Sequence, residues 1–259
     1  MDKATAIGVG LAAAGILGGN AIEGGKVSQI LQPTAAMIVI GGTVGATLIQ
    51  FPLSTAIGAI KAVKSVLFEP ASNGHKLIDE IVGYATIARK DGILGLESVA
   101  PKASDPFLSR ALMMAIDGAD SNAMRDTMEA AIHQVEEGGE DIAKVYETAG
   151  GYAPTIGIIG AVLGLIQVMS NLSDIAKVGE GIATAFVATI YGVGFANIIC
   201  LPVGGKLKLR TREAVATKIL MLEGALAIQQ GMNPKLVRER LSALVHDDGH
   251  GDKKETAAA

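Results

Sequence analysis

The sequence predicts an all-α integral membrane protein with four transmembrane helices. A helical domain is expected between the second and third of them, and a helical segment after the fourth. Three observations predict this fold class. Hydrophobic residues make up 49% of the 259 residues. Four uncharged apolar runs, each about 20 residues long, match the roughly 30 Å thickness of a hydrocarbon core. No stretch alternates between apolar and polar residues as a half-buried strand does.

Small residues dominate the apolar runs. The chain contains 33 glycines, whereas aromatic residues make up 3% of it and tryptophan is absent. Small side chains let the backbones of two helices approach closely inside lipid, where no hydrophobic effect drives helices together. The net charge of −4 argues against a nucleic-acid-binding protein. Composition therefore favours closely packed membrane helices over a soluble domain.

The apolar runs and the glycines and prolines that flank them divide the chain into ten segments. The second span is the shortest of the four. The predicted order is an N-terminus at 1–3, a span at 4–22, a loop at 23–33, a span at 34–51, a charged helical domain at 52–151, a span at 152–172, a loop at 173–180, a span at 181–203, further helices at 204–245 and a disordered tail at 246–259.

Local signals delimit the helices outside the spans. An amphipathic helix is expected over 54–67, with Lys61 and Lys64 on its polar side. A cap at Asn73 and a stop at Asp91-Gly92 bound the next helix. Further helices are predicted at 93–99, at 105–117 with Leu108, Leu112, Met113 and Ile116 on its apolar face, from Ser121 towards Tyr146 with a kink at Gly138-Gly139, at 204–231, and at 234–245 after Asn233.

The positions of the basic residues predict the orientation. Lys26 lies in the first short loop and Lys177 in the second, whereas the other 20 of the 22 lysines and arginines lie in the termini and the central domain. Positive charge is retained on the cytoplasmic side of a membrane. Both termini and the domain at 52–151 are therefore expected in the cytoplasm, and the loops at 23–33 and 173–180 in the periplasm.

No catalytic or metal-binding constellation is recognisable. The pairs Gly25-Lys26 and Gly205-Lys206 lack the spacing of a phosphate-binding loop. A run in the tail could chelate a metal weakly, but a solvated polar segment explains it better. That run consists of His246, Asp247, Asp248 and His250. We therefore expect no enzyme activity, no metal and no cofactor.

The spans contain no Asp, Glu, Lys, Arg or His. Proton pumps and transporters place ionisable groups inside their spans, because a proton relay needs protonatable sites there. Two interpretations follow. Either another chain supplies a membrane carboxylate, or this protein conducts nothing and only anchors its cytoplasmic domain.

The last two spans each carry a ridge of small residues that allows two interpretations, close helix packing or the lining of a channel occupied by a partner helix. Thr189 lies on the second ridge, and its hydroxyl can either bond a backbone carbonyl or present an oxygen to a passing ion. Pro154 lies near the start of the third span and Pro202 near the end of the fourth. Each is interpreted either as an ordinary helix end or as a hinge. The ridges consist of Gly157, Gly160, Gly164 and Val168, and of Ala185, Thr189, Gly192 and Ala196.

Three local patterns in this four-span layout resemble the A subunits of flagellar motor stators, the MotA/PomA type, which are related to ExbB and TolQ. The resemblance covers nearly the whole chain. The patterns are Ala153-Pro154 with the glycines that follow, Thr189-Ile190-Tyr191-Gly192 with Pro202 after it, and Arg89-Lys90-Asp91-Gly92-Ile93-Leu94-Gly95-Leu96-Glu97, which is similar to the family's R-x-x-G-x-x-x-L-E stretch.

The resemblance implies a homo-oligomer in the bacterial inner membrane, with five A subunits around two B subunits. Each B subunit has one span with a membrane aspartate and a domain that grips peptidoglycan. Ion flow is expected to rotate the A ring, whose charges push the rotor protein FliG. By position, Arg89, Lys90 and Glu97 are the expected rotor contacts, and Pro154 and Pro202 the coupling residues, with Thr189 beside the ion path.

The resemblance also favours protons over sodium as the driving ion. Sodium-driven relatives have threonines where this chain has Ala161 and Ala188. Alanine has no oxygen with which to replace the water around a sodium ion. The alternatives left open are an ExbB/TolQ-type energiser, which has three spans and only one before its cytoplasmic region, a secondary transporter, and a passive membrane scaffold.

Overall fold

Helices form all the regular secondary structure in the computed structural model, which describes residues 2–68 and 74–245. No strand occurs among these residues, so the all-α prediction is confirmed. The predicted cap at Asn73 and the tail at 246–259, including His246, Asp247, Asp248 and His250, lie outside the described residues.

Nine helices follow one another along the described chain. Four of them, α1, α3, α7 and α8, are long and apolar enough to cross a membrane, as the four apolar runs predict. α3 contains a π-helical segment at Met37–Gly41, and α8 contains one at Phe195–Cys200. The helices are α1 (Lys3–Ile22), α2 (Val27–Ile30), α3 (Pro33–Gln50), α4 (Leu53–Leu67), α5 (Gly74–Asp91), α6 (Pro106–Ile116), α7 (Ser121–Met169), α8 (Ile175–Gln229) and α9 (Pro234–Ser242), with 3₁₀ segments at Ile93–Leu96 and Ala100–Lys102.

The chain divides into two units. The first comprises Met1–Pro70 and Glu137–Thr211, and the second comprises Ala71–Glu136 and Arg212–Ala259. The first unit contains the apolar parts of all four candidate spans. α7 begins in the second unit and ends in the first, and α8 runs in the opposite order.

The second unit has its own hydrophobic core, built from one apolar face of each of its helices. Leu108 and Leu112 are fully buried in it as predicted, whereas Met113 and Ile116 are only partly buried. The predicted helix start at Asn233 is confirmed, because its carboxamide oxygen accepts a hydrogen bond from the Lys235 amide at 3.0 Å. The largest fully buried side chains of this core include Ile78, Ile81, Leu96, Leu108, Leu112, Met124, Met128, Leu222, Val237 and Leu241.

The structure corrects the prediction for the third span. A helix ending near Tyr146 and a span beginning at 152 are in fact one helix of 49 residues, about 74 Å long at 1.5 Å per residue. Pro154 lies in its interior rather than in its first turn. Packing explains this, since Gly192 of α8 contacts the backbone at Ala153 and Pro154.

Gly138 and Gly139 do not interrupt this helix either. The side chain of Thr211 on α8 occupies the space where a Cβ of Gly139 would lie. The second glycine of the pair therefore provides room for a neighbouring helix, and no helix break is needed to explain it.

The fourth span also belongs to a longer helix than predicted. α8 begins at Ile175, inside the expected loop, where the Asp174 carboxylate accepts hydrogen bonds from the amides of Ala176 and Lys177. It then continues past Pro202 to Gln229, so the expected separate helix at 204–231 is wrong. The π-helical segment at Phe195–Cys200 ends two residues before Pro202, and both a π-helical turn and a proline are known causes of bends in a helix.

Two shorter predictions are also corrected. The helix expected at 93–99 is a 3₁₀ segment that ends at Leu96, and the polar loop at 23–33 contains the short helix α2. The helix expected over 54–67 is observed as α4, and Lys61 and Lys64 are exposed on it. The exposed face of α4 carries four large apolar side chains beside Lys61 and Lys64, whereas its buried residues are Ala56, Ala59 and Val66.

Candidate functional site

The two small-residue ridges face each other across α7 and α8. A Cβ on Gly164 would lie 2.9 Å from the Gly181 carbonyl oxygen, and one on Gly157 would lie 3.0 Å from the Ala188 carbonyl oxygen. A Cβ on Gly192 would lie 2.6 Å from the Ala153 carbonyl oxygen. Real Cβ atoms do not approach backbone so closely. Close packing is therefore confirmed for these glycines, which are covered by the chain's own helices.

Thr189 is half-buried on α8, and its hydroxyl donates a hydrogen bond to the Ala185 carbonyl at 3.2 Å. That bond occupies the proton of the hydroxyl and leaves lone pairs on the oxygen. Ala188 is completely buried. A Cβ on Gly160 would lie 2.8 Å from the Cβ of Ala188. Ala161, the residue after Gly160, is half-buried. Thr189 and Ala161 thus keep some exposure, whereas Ala188 has none.

α3 packs against both α7 and α8. Ala35 and Val39 are fully buried against Val187 and Ala188, and a Cβ on Gly42 would meet the Ile156 side chain at 2.8 Å. Thr43 and Thr47 are also buried, and their hydroxyls donate to carbonyls one turn back in the same helix, at 2.6 and 2.8 Å. The hydroxyls of Thr43 and Thr47 therefore have partners inside the helix itself.

Tyr191 connects α8 to the segment that leads into α3. Its hydroxyl donates a hydrogen bond to the Ile30 carbonyl at 2.6 Å and accepts one from the Gln32 amide at 3.2 Å. One side chain thereby satisfies two backbone groups at a break between helices, where an apolar surrounding offers few partners. No local sequence pattern indicates this role, since the partners are separated by about 160 residues.

Asp2 forms a second long-range connection that the sequence did not reveal. Its carboxylate is nearly buried, caps α1 by accepting from the Ala4 amide at 2.9 Å, and pairs with Lys206. Arg210 lies 3.6 Å from the same carboxylate, and Lys206 also donates to the Thr5 hydroxyl at 2.7 Å. The start of α1 is thus fixed to α8, although α1 itself buries no residue.

The expected rotor-contacting charges are displayed on the second unit. Arg89 and Lys90 are exposed in the last turn of α5, and Glu97 is exposed directly after the 3₁₀ segment at Ile93–Leu96. None of the three forms an ion pair with another described residue. These charges are therefore available to a partner.

Local backbone geometry explains how this motif displays its charges. Gly92 has a φ of +77°, in the region that favours glycine, and it ends α5. Leu96 is fully buried and anchors the segment that follows. A Cβ on Gly95 would lie 2.8 Å from the Asp91 Cβ, so the segment folds back closely on the helix end. The motif therefore combines a turn and an anchor that hold the flanking charges at the surface.

Glu80 supports α5 from one side. Its carboxylate accepts hydrogen bonds from the Ser104 amide at 2.8 Å and from the Tyr84 hydroxyl at 3.0 Å. Burial of Tyr84, reinforced by the bond to Glu80 and its charge, raises the pKa of Tyr84 to about 12. On another side Arg238 of α9 contacts Asp79 at 2.6 Å. These bonds fix the helix that presents Arg89 and Lys90.

The second unit also has a shallow cleft, of about 260 Å³, between the start of α7 and the end of α8. In it Arg125 contacts Glu223 at 2.9 Å and Glu129 at 3.3 Å, and the hydrogen bond to Glu223 is the main cause of a raised pKa of Arg125. Among residues 2–68 and 74–245 no group of three or more His, Cys, Asp or Glu side chains is placed to hold a metal ion.

Two family models match this chain. The model of the MotA/TolQ/ExbB proton channel family matches residues 99–218, and the model of the motility protein A N-terminal region matches residues 6–91. The chain is 34% identical over 245 residues to motility protein A of Bacillus subtilis, covering 93% of this chain and 90% of that protein.

Two solved structures also contain chains that are similar to this one over nearly its whole length. The structure of C. jejuni MotAB contains a chain that superposes with a TM-score of 0.91 at 30% identity, covering 96% of this chain and 97% of that one. The structure of the flagellar MotAB stator complex from Bacillus subtilis contains a chain with a TM-score of 0.84 at 33% identity, covering 93% and 94%. The similarity therefore extends over both units and all four candidate spans.

Proposed function

This chain belongs to the MotA/TolQ/ExbB proton channel family, in its motility protein A branch, and is a flagellar stator A subunit that forms a channel with a B subunit. From that premise we propose that it conducts protons together with the B subunit, and that the flow rotates a ring of A subunits and applies torque to the rotor protein FliG. The proposed complex contains five A subunits and two B subunits.

The observation that carries this proposal is the absence of any ionisable residue from the four predicted spans. A proton path needs a protonatable group at membrane depth. The B subunit, with one span that carries an aspartate, supplies that group in the proposed complex. The interlocked ridges of α7 and α8 supply rigid, uncharged walls, since their glycines contact backbone on the opposite helix.

For the ion path we propose Thr189 as the residue beside the passing ion, with Ala161 and Ala188 at the positions that decide between ions. The hydroxyl of Thr189 keeps lone pairs while its proton bonds the Ala185 carbonyl. The two alanines carry no oxygen to bind a dehydrated sodium ion, which favours protons. Pro154 and Pro202 are the proposed coupling points, because each lacks the N–H that would close its helical turn.

The protein is a multi-pass inner-membrane protein. We place both termini and residues 52–151 and 204–245 in the cytoplasm, in accord with the lysines and arginines concentrated there. In that orientation the exposed Arg89, Lys90 and Glu97 are accessible to the rotor. Opposite charges across such an interface mainly speed encounter and fix the register of the partners.

The spans distinguish this proposal from an ExbB/TolQ-type energiser. Two helices that could cross a membrane, α1 and α3, precede the second unit, whereas the three-span family has one. The match of residues 6–91 to the motility protein A N-terminal model supports the same choice.

The test is complementation of a strain that lacks this gene but retains its B subunit. The wild-type chain should restore swimming, and replacing the membrane aspartate of the B subunit by asparagine should abolish it. Swimming speed should follow the proton-motive force and should not change with external sodium at constant proton-motive force. A speed that rises with sodium would overturn the assignment of the ion, and no restoration at all would overturn the stator function.

A further inference from the structure

Leu94 is the most exposed large apolar side chain in the described part of the second unit. It is 67% exposed. The others that are exposed there are Ile219, Leu236 and Leu244, at 41%, 54% and 47%. Most large apolar residues of this unit belong instead to its core. A single exposed leucine is common on protein surfaces, so its surroundings decide whether it has a function.

The 3₁₀ segment at Ile93–Leu96 determines which of its side chains are buried. Such a helix has three residues per turn, so Ile93 and Leu96 lie on the same side of it. Leu96 is fully buried, and Ile93 packs against the core of the unit. Leu94 belongs to the same segment but lies at the surface. The segment therefore uses two of its three large aliphatic side chains for folding and displays the third.

Hydrogen bonds hold the backbone around Leu94. The Gly95 amide donates to the Gly92 carbonyl at 3.0 Å, and the Glu97 amide donates to the Leu94 carbonyl at 3.1 Å. A Cβ on Gly95 would lie 2.8 Å from the Asp91 Cβ, so the segment is packed against the end of α5. A partner that binds Leu94 therefore meets a preorganised surface, which lowers the entropy cost of binding.

Charged residues lie on both sides of Leu94 in the chain. Arg89 and Lys90 are exposed in the last turn of α5, and Glu97 is exposed directly after the 3₁₀ segment. Exposed ion pairs contribute little each, and salt screens them. Specific interfaces combine an apolar centre with a polar rim. Leu94 is the apolar side chain of this surface, and the three charges form its rim.

We propose that Leu94 is the apolar anchor of the rotor contact, an inference that rests on the function proposed above. The partner surface that fits it is a shallow apolar depression, with an acidic side chain facing Arg89 and Lys90 and a basic one facing Glu97. The charges attract and orient this surface, and burial of the leucine adds affinity that salt does not screen. A membrane fits less well, since the exposed Asp91 and Glu97 would be brought against anionic headgroups.

The experiment measures the binding of purified FliG to the detergent-purified complex of this chain with its B subunit. It is done at low salt and again at about 1 M salt, where the Debye length is roughly 3 Å. The test variant is Leu94→Ala, and Leu94→Met retains an apolar side chain of similar volume. Leu236→Ala is the matched control, because this leucine is also exposed in the second unit. Arg89→Gln is the comparison for an electrostatic contribution.

Leu94→Ala should weaken binding roughly tenfold at both salt concentrations, the loss expected when about two buried carbon atoms are removed. Arg89→Gln should weaken binding mainly at low salt. Leu94→Met and Leu236→Ala should bind like the wild type. Unchanged binding of Leu94→Ala, together with weaker binding of Arg89→Gln, would overturn the proposal and leave the charged rotor contact in place. A wild-type complex that does not bind FliG would overturn the rotor contact itself and the role of Leu94 with it.

A second measurement separates a contact role from a structural one. Because Leu94 is exposed, Leu94→Ala should reduce swimming in soft agar without changing the thermal midpoint of the complex or the amount of the chain in membranes. Leu94→Met should restore swimming. A thermal midpoint that falls for Leu94→Ala but not for Leu236→Ala would show that another copy of the chain covers this leucine. That result, or normal swimming of Leu94→Ala, would contradict the proposal.

Discussion

Gly157 and Gly192 lie so close together that a Cβ on Gly157 would be 3.2 Å from the Cα of Gly192. The contact joins the two helices that form the proposed walls of the ion path. The atoms on the other side of the contact are backbone, which cannot move aside as the end of a flexible side chain can. Each methyl group added here must therefore separate the helices.

Gly192→Ala tests this contact. The added methyl would lie 2.6 Å from the Ala153 carbonyl oxygen, so we expect a destabilisation of about 1–3 kcal/mol, typical of overpacking. Gly194→Ala is the matched control in the same helix, because no atom lies within 4 Å of its Cβ position. The thermal midpoint of the purified complex and swimming should fall only for Gly192→Ala. Equal behaviour of the two variants would contradict the close contact.

Arg89→Glu and Glu97→Lys test the rotor surface. Both side chains are exposed and form no ion pair with a described residue, so reversal should leave folding and membrane assembly intact. Motility should be impaired, because reversed charges repel the partner surface. Swimming in soft agar and the amount of the chain in membranes are the measurements. Lys235→Glu is the control, and normal swimming of both test variants would refute the rotor contact.

Gly92→Ala should impair motility without altering any charge. Gly92 has a φ of +77°, and a residue with a Cβ in this conformation costs about 1 kcal/mol or more. The turn that holds Glu97 near the end of α5 should therefore be distorted. Gly83→Ala lies in the interior of α5 with no atom within 4 Å of its Cβ position, and it should be neutral or slightly stabilising. Swimming and the thermal midpoint distinguish the two variants.

Tyr191→Phe should destabilise the complex, because it removes the partner of two backbone groups, at Ile30 and Gln32. A buried polar group left unsatisfied costs about 1–3 kcal/mol. Tyr152→Phe is the matched control, since it removes only an exposed bond of 2.8 Å to the Gln50 side chain. Thermal denaturation of the two variants in the same detergent provides the comparison. A larger effect of Tyr152→Phe would contradict the role given to Tyr191.

Ionisation of Tyr84 should lower the stability of the protein at alkaline pH. Its pKa is about 12 in the folded chain, against 10.0 for an ordinary tyrosine, so the folded state holds the proton more tightly. The contribution is fully present below pH 10 and is lost as pH rises towards 12. Optical titration at 295 nm should show one tyrosine that ionises at higher pH than the others, and this step should be missing in Tyr84→Phe. Complete ionisation of all tyrosines by pH 11 would contradict the shift.

The sequence predicts the number of spans well, because an apolar run without charges has few alternatives in a chain of this size. It predicts helix continuity poorly at Pro154 and Pro202. Proline normally ends a helix, but here one helix continues through Pro154, beside the close approach of Gly192, and another continues through Pro202, after a π-helical segment. The stretch from Arg89 to Glu97 could be singled out as a candidate because its glycine, leucine and charges are close in sequence.

Long-range polar contacts were not predicted. Asp2 pairs with Lys206, and Tyr191 bonds the backbone at Ile30, across about 160 to 200 residues. A spacing of that size carries no periodic signal, so only the folded chain reveals such pairs. For α4 the helix itself was predicted, but not which apolar side chains it buries. The lysines mark the outward face correctly, but the larger aliphatic side chains share it and the alanines are buried.

The uncharged spans also bear on how a cell can manage this protein. The chain has no acid of its own at membrane depth, so it should conduct no protons when it is made in excess of its partner. A cell can then keep a reserve of A subunits without draining its membrane potential. We expect growth and membrane potential to be unaffected when this chain alone is overproduced. Ion flow then starts only when the subunit that carries the carboxylate is bound.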